Sequence, residues 1–313
     1  MQTSHNKATL VTISENQSGQ RIDNFLLKHL KGVPKSHIYR LLRSGQVRVN
    51  SGRKKPHYKL QTDDTLRIPP VRVAENTADH IPSSVIQILE NSILFEDDNI
   101  IAINKPSGIA VHKGSGLSFG IIEAFRQIYP EQPLELVHRL DRETSGCLLL
   151  AKNRQILAQL HELLRHEKIV RIEKTYLALL SGQWQGGSKT IDTGISKIKR
   201  SGEHIMQTDE NGDRAISHFE PLEIFNNCSL MKIKIETGRT HQIRVHALHS
   251  NHPIIGDSKY GDKKTNQFFR TLGLKRLFLH AQQLHLPLTD PITINAPLSD
   301  DLEHLLQKLR QTT

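Results

Sequence analysis

The sequence predicts an α+β protein of two domains, a small helix–helix–hairpin unit followed by a larger domain of strands and helices. Three observations carry this. At 313 residues the chain can bury a sizeable core and divide into more than one domain. Apolar residues recur at helical spacing near the N-terminus and in strand-like runs from Ile93 onward. The net charge of +10 is unevenly spread: twelve Lys and Arg meet three acids between Ser18 and Pro70, whereas the other thirty basic and twenty-nine acidic residues nearly cancel. An excess so confined is the footprint of a module that docks on a polyanion.

Composition narrows the class. A hydrophobic content of 36% and a mean hydropathy of -0.44 suit a soluble protein. No apolar run approaches the roughly 18 residues of a membrane span. Met1 to Lys7 lacks the apolar core of a signal peptide. Cys147 and Cys228 sit in apolar runs, which favours buried thiols over a disulfide. A cytoplasmic protein is expected. There is no P-loop, no dinucleotide glycine fingerprint and no internal repeat, so no nucleotide or redox cofactor is implied.

In chain order, residues 1–17 form an N-terminal segment that is polar except for Leu10 to Ile13, an edge strand. Ile22, Phe25, Leu26 and Leu30 share a helical face, and Gly32-Val33-Pro34 stops that helix. Ser36 is the expected cap of the next helix, with Ile38, Leu41 and Leu42 inward and Arg40 and Arg43 together on the other face. Val47 to Asn50 and Leu66 to Ile68 read as strands around the Ser51-Gly52 turn. Arg48, Arg53, Lys54 and Lys55 add to the basic face there. Residues 18–70 are therefore the nucleic-acid-binding candidate, with phosphate neutralisation the best use of the charge. Residues 71–84 read as a linker and 85–313 as the second domain. That domain opens with two strands joined by an acidic turn, Ile93 to Asn104. Helices follow over Ile121 to Tyr129 and Gln155 to His166, and strands over Val170 to Leu180, Ala215 to Phe225, Cys228 to Glu236, Leu277 to Ala281 and Ile292 to Ile294. Asp300 to Leu309 closes the chain as a helix.

The organising stretch is His138-Arg139-Leu140-Asp141-Arg142-Glu143-Thr144-Ser145-Gly146, leading into the buried strand Cys147 to Ala151. Turn residues place Asp141 at the mouth of that strand, where an acid can be aimed at a substrate. Spacing alone favours an ordinary surface ion pair with Arg139 or Arg142. The string His138 to Asp141 with Thr144-Ser145-Gly146, however, resembles the signature of RNA pseudouridine synthases of the large-subunit rRNA (A-type) family. Asn104 to Gly108, Lys174 to Leu179, Thr237 to His246 and Asn251 to Gly261 are similar to further strings of that family in the same order. The resemblance covers nearly the whole chain, and the N-terminal domain looks like the S4 RNA-binding kind.

The resemblance implies a mixed, mainly antiparallel-sheet catalytic domain behind an S4-like domain, acting on uridines of large-subunit (23S) ribosomal RNA. Asp141 would be the catalytic nucleophile, Tyr176 would pack against the target base, and Arg244 would pair with Asp141. Asn251 to Gly261 would be a structural loop that frames the pocket. The chemistry of the residues agrees. A flipped base is best held against an aromatic face, although Tyr176 read without the motif is a core tyrosine. A carboxylate enclosed with an apolar base tends to take up a proton, and an arginine, which does not deprotonate, would keep it ionised. By adjacency and resemblance, Arg139 would fill the stack that the flipped uridine vacates. Isomerisation requires neither metal nor cofactor. His241, His246 and His249 lack the acid or thiol that would complete a zinc shell. A monomer is expected, with ribosomal RNA as partner and no membrane. Three rivals stand beside this reading: the same chemistry on transfer RNA or other rRNA uridines, a non-catalytic RNA-binding ribosome-assembly factor, and a glycoside hydrolase. The last would need Glu143 as a second working carboxylate beside Asp141.

Overall fold

The computed structural model describes residues 8–30, 33–71, 81–114, 119–165, 170–200 and 203–312. The chain divides into two compact units, Met1–His80 and Ile81–Thr313.

In the first unit, strand β1 (Thr9–Thr12) precedes helices α1 (Ile22–His29) and α2 (Lys35–Arg43) and strands β2 (Arg48–Val49) and β3 (Thr65–Ile68). The strands pair antiparallel in the order β1-β3-β2, so the N-terminal strand takes an edge. Residues 9–13 thus belong to this fold rather than to a separate N-terminal segment, and the Ile13 side chain is fully buried with those of Ile22, Leu26, Ile38 and Leu66. The helical spacing read from the sequence places these apolar side chains on one face of each helix. Pro34, not Ser36, stands at the N-cap of α2; its fixed φ suits a helix entry. Gly32 and Lys31 lie outside the described residues. Two of the three acids are spent inside. Asp23 takes Arg21 at 2.6 Å and the Tyr39 hydroxyl at 2.9 Å. Asp64 accepts from the Asn50 side chain, the Tyr58 hydroxyl and the Gln61 amide.

Residues 72–80, most of the segment expected as a linker over 71–84, lie outside the described residues. Its ends are structured: Val71 is buried in the first unit, Ile81 in the second, and Ser83 and Ser84 already belong to helix α3 (Ser83–Glu90).

The second unit continues with β4 (Ile93–Glu96), β5 (Ile100–Lys105), α4 (Ile121–Ile128), β6 (Glu135–Leu136), β7 (Ser145–Ala151), α5 (Arg154–Leu163), β8 (Glu173–Ser181), β9 (Lys189–Asp192), β10 (Ile195–Arg200) and β11 (Glu203–Thr208). Then come β12 (Ile216–Ile224), β13 (Cys228–Ile235), α6 (Gln242–His249), α7 (Lys263–Thr271), β14 (Leu279–Leu286), β15 (Ile292–Asn295) and α8 (Asp300–Gln311). Ten strands form one sheet whose main path is β4-β5-β7-β14-β8-β13-β12-β9; β10 and β11 make a separate hairpin. Pairing is antiparallel except between β7 and β14, which run parallel at its centre.

Strand β7 is buried on both faces. Leu148 and Leu150 join the cluster of Phe125, Ile101 and Ile103, while Cys147, Leu149 and Ala151 join that of Ile156, Leu160 and Leu284. Alternate residues of a strand point to opposite faces, so burial of both yields the unbroken apolar run seen in the sequence. At its head, Gly146 has φ +109°, and a Cβ there would collide with the Ala281 backbone of β14. The glycine lets β14 close on β7. Strand β14 starts at Leu279 and runs past the expected end at Ala281; Gln282, Gln283 and His285 interrupt its apolar pattern and hide the extension in the sequence. Strands β9 to β11 are likewise polar, with Lys189, Thr190, Lys197 and Lys199, and went unexpected.

Candidate active site

Asp141 is set by the turn that enters β7. The Thr144 amide donates to the Asp141 carbonyl at 3.1 Å. From the other side, the loop after β5 grips the same turn: Gly108 N–H and Lys105 Nζ donate to the Arg142 carbonyl at 2.8 and 3.1 Å, and Ser107 Oγ to the Glu143 carbonyl at 2.7 Å. Lys105 is wholly buried and gives its other hydrogens to the Pro106 and Ile109 carbonyls. Burial pushes its pKa down to about 7, against the pull of the Asp141 charge. This amine was not singled out in the sequence. Its signal was there: a lysine that ends the apolar strand Ile100 to Ile103 has nowhere to reach water.

The string Thr237 to His246 forms the opposite wall. Gln242 staples the start of α6: its Oε1 accepts from Thr237 Oγ1 at 2.7 Å and from the Arg239 amide at 3.1 Å, and its Nε2 donates to the Ile216 carbonyl and Ser217 Oγ. His241, at the N-cap, takes a left-handed backbone with φ 56°, one of the few conformations in which a non-glycine residue can turn the chain this sharply.

Arg244 follows on α6 and is 5% exposed. Its Nε and one terminal nitrogen bond both oxygens of Asp257, at 2.7 and 2.8 Å; the other terminal nitrogen comes within 3.6 Å of Asp141 Oδ2. The pairing expected between Arg244 and Asp141 is therefore divided. The hydrogen-bonded fork belongs to Asp257, and Asp141 receives a longer ion-pair contact. A fork fixed on one carboxylate leaves one edge of the planar guanidinium to face another. Asp257, fully buried, also accepts from the Lys259 and Tyr260 amides. Burial alone would raise its pKa, but the Arg244 bonds outweigh it and hold the carboxyl below its usual range. Burial likewise works against the Arg244 charge, and the bonds and field of Asp257, with Asp141 behind them, keep it raised. Within the framing loop Asn251 to Gly261, Asp257 escaped notice in the sequence, since an acid in a Gly-Asp-Ser-Lys run looks like any solvated turn. The same loop holds the β10–β11 hairpin: Lys259 Nζ donates to the His204 carbonyl at 2.7 Å, and the Tyr260 hydroxyl accepts from the Met206 amide at 3.0 Å.

A cleft opens between these walls. Tyr176 of β8, Ile235, Leu279 and Leu140 line it with apolar surface, and Asp141, Arg139, Arg239, His241 and Arg244 bring polar groups to it. Asp141, 20% exposed, is the one carboxylate among the described residues that line it. Tyr176 is 7% exposed, and burial together with the Asp141 field raises its phenol pKa. Arg139 is exposed at the rim. The three histidines have separate partners: His241 meets Tyr260, His246 lies between Ser217 and the Thr193 carbonyl, and His249 approaches Thr208.

Of the basic residues of the first unit, Arg40, Arg43, Arg48, Arg53 and Lys55 are exposed; half-buried Lys54 lies 4.4 Å from the centre of the Tyr58 ring. None belongs to the unit that holds Asp141.

Comparison with known proteins bears on the whole chain. The profile of the RNA pseudouridylate synthases matches residues 99–249 and that of the S4 domain residues 20–66. A curated relative from Haemophilus influenzae, "Ribosomal large subunit pseudouridine synthase C", is 53% identical over 310 residues, covering 97% of this chain and 95% of its own. The chain belongs to the RNA pseudouridine synthase family. The synthase is also 48% identical to the protein of that description from Escherichia coli K12, over 99% of both chains. Among solved structures, "Human RNA Pseudouridylate Synthase Domain Containing 4" superimposes with a TM-score of 0.60 at 27% identity, over 72% of this chain and 96% of that one.

Proposed function

We propose that the synthase isomerises uridine to pseudouridine in large-subunit (23S) ribosomal RNA, with Asp141 as the reactive group. The carrying observation is a single carboxylate in an apolar cleft beside a buried, immobilised arginine. A glycoside hydrolase needs two carboxylates across its substrate, and Glu143 is not among the residues lining this cleft. The relatives named for the large ribosomal subunit support the choice of RNA.

In the reaction the N1–C1′ bond breaks, the uracil turns, and a C5–C1′ bond forms; C5 loses a proton and N1 gains one. Atoms and electrons balance within the nucleotide. Arg244, held by Asp257, offers Asp141 a fixed opposite charge when the base displaces water. Tyr176, with Ile235 and Leu279, offers the flipped base a flat apolar wall, and Arg139 at the rim fills the stack the base leaves. Arg40, Arg43, Arg48, Arg53, Lys54 and Lys55 dock the RNA through phosphates. With Asp23 and Asp64 buried, little negative charge faces outward to oppose them. The synthase works as a monomer, and in the cytoplasm, where ribosomes are assembled.

Mapping pseudouridines in RNA from a strain lacking the protein, complemented with wild type or Asp141→Asn, tests the proposal. Specific 23S sites should vanish and return only with wild type. In vitro, Asp141→Asn should lose more than about a thousandfold in rate at unchanged RNA affinity. Activity within tenfold of wild type would remove Asp141 from its role, and sites lost from transfer RNA instead would move the substrate.

A further inference from the structure

Two donors converge on Asp141. His241 Nε2 and Arg244 both make their closest approach to the same oxygen, Oδ2, at 3.7 and 3.6 Å. What His241 can do there depends on which ring nitrogen carries the proton, and its other partners assign it. The Met206 amide can only donate, so the Tyr260 hydroxyl accepts from it at 3.0 Å. The phenol proton then goes to its other neighbour, His241 Nδ1, at 2.8 Å. Nδ1 is an acceptor, and the proton of the neutral ring sits on Nε2, toward Asp141. The charges around the ring are Asp141 ahead of β7, Arg244 on α6, and Asp257 and Lys259 on the loop before α7. Burial leads these influences and, with Arg244 and Lys259, lowers the imidazole pKa against the two acids, which agrees with a neutral ring.

We propose that His241 is a positioning residue for Asp141: its Nε2–H and Arg244 clamp Oδ2 and present the other oxygen to the substrate. A neutral donor steers the carboxylate without adding a second full charge to hold it unreactive. The contact of 3.7 Å shortens to a hydrogen bond when substrate closes the cleft. Tyr260, its ring centre 5.1 Å from the Arg244 guanidinium, fixes the tautomer. This inference rests on Asp141 being the reactive group.

The test compares His241→Gln, whose amide can place an N–H near the Nε2 position, with His241→Leu, which cannot; both carry the same left-handed backbone strain. On a 23S rRNA fragment, single-turnover rates should fall less than about tenfold for the first and about a hundredfold for the second, with RNA affinity unchanged. Equal rates for the two overturn the clamp. Should either variant fail to fold, Tyr260→Phe decides, because it keeps both rings. It should slow the reaction about tenfold, and ¹⁵N correlation spectra of the imidazoles should show the His241 proton on Nε2 in wild type and redistributed in the variant. An unaltered rate, or a proton on Nδ1 in wild type, overturns the assignment. Loss of activity in Asp141→Asn together with full activity in Tyr260→Phe sinks the clamp alone, while an active Asp141→Asn sinks the reading beneath it.

Discussion

Arg244 faces three carboxylates with one guanidinium, Asp257 at 2.7 Å, Asp141 at 3.6 Å and Glu143 at 3.9 Å, and its removal has separable effects on the first two. Arg244→Met deprives Asp141 of a partner that favours its ionised form, and it strands Asp257, which is 0% exposed, without its counter-charge. Breaking a buried pair on one side costs about 3–5 kcal/mol. Arg244→Met should therefore lower both activity and the urea midpoint. Adding Asp257→Asn should restore much of the stability, since the neutral amide oxygen can still accept from the Lys259 and Tyr260 amides, but none of the activity. A double variant that stays as unstable as the single one would show that the pair contributes little to the fold. At this scale the sequence was informative about Asp141, Tyr176 and Arg244, which line one cleft and stand in strings with apolar neighbours. Asp257 was illegible because its partner lies across a loop, and nothing in local spacing distinguishes a buried acid from a solvated one.

Among the elements, β7 and β14 make the platform on which Asp141 sits, and a buried histidine ties them. His280 of β14 faces the Ala296 carbonyl with Nε2 at 3.0 Å and Ser145 Oγ with Nδ1 at 2.9 Å. Arg276 already donates to that hydroxyl, so the serine proton goes to Nδ1 and the ring is neutral. Burial pushes the pKa of His280 down to about 4, and that of His246 likewise to about 4. In the unfolded chain both take up protons below about 6.5. Stability should thus be complete above that pH and drain away as pH falls toward 4, by up to roughly 3 kcal/mol for each ring. Urea midpoints between about pH 7.5 and 4.5 should follow this course, and His246→Gln should flatten it. A wild-type midpoint constant across that range would contradict the neutral burial. Strands rich in Ile, Leu and Val were legible as strands. The hairpin β10–β11 and the second half of β14 were not, because lysines and glutamines on them conceal the alternation on which a strand reading depends.

For the molecule as a whole, charge and chemistry are kept in different units. Replacing Arg40, Arg43 and Arg53 with alanine should weaken RNA binding and reduce the log–log salt slope by about 0.7–0.9 for each phosphate left without its arginine. The single-turnover rate at saturating enzyme should hold. An unaltered slope would shift the docking to the second unit. The charge excess was legible in the sequence; that Asp23 and Asp64 are turned inward was not, since burial of an acid depends on the Arg21, Tyr39, Asn50 and Tyr58 side chains that receive it.

The hydrogen bonds that hold the β10–β11 hairpin to the 256–261 loop fall on main-chain groups of the hairpin, the His204 carbonyl and the Met206 amide, while the Ile195 and Met206 side chains pack with Tyr260. Apart from Ile195 and Met206, side chains there can drift over evolutionary time without loosening the attachment. Length cannot. These two groups lie two residues apart on one edge of a strand, and inserting or deleting a single residue before them would turn that edge away from Lys259 and Tyr260. Related sequences should therefore vary in spelling at the other positions of this hairpin while conserving the number of residues in β11.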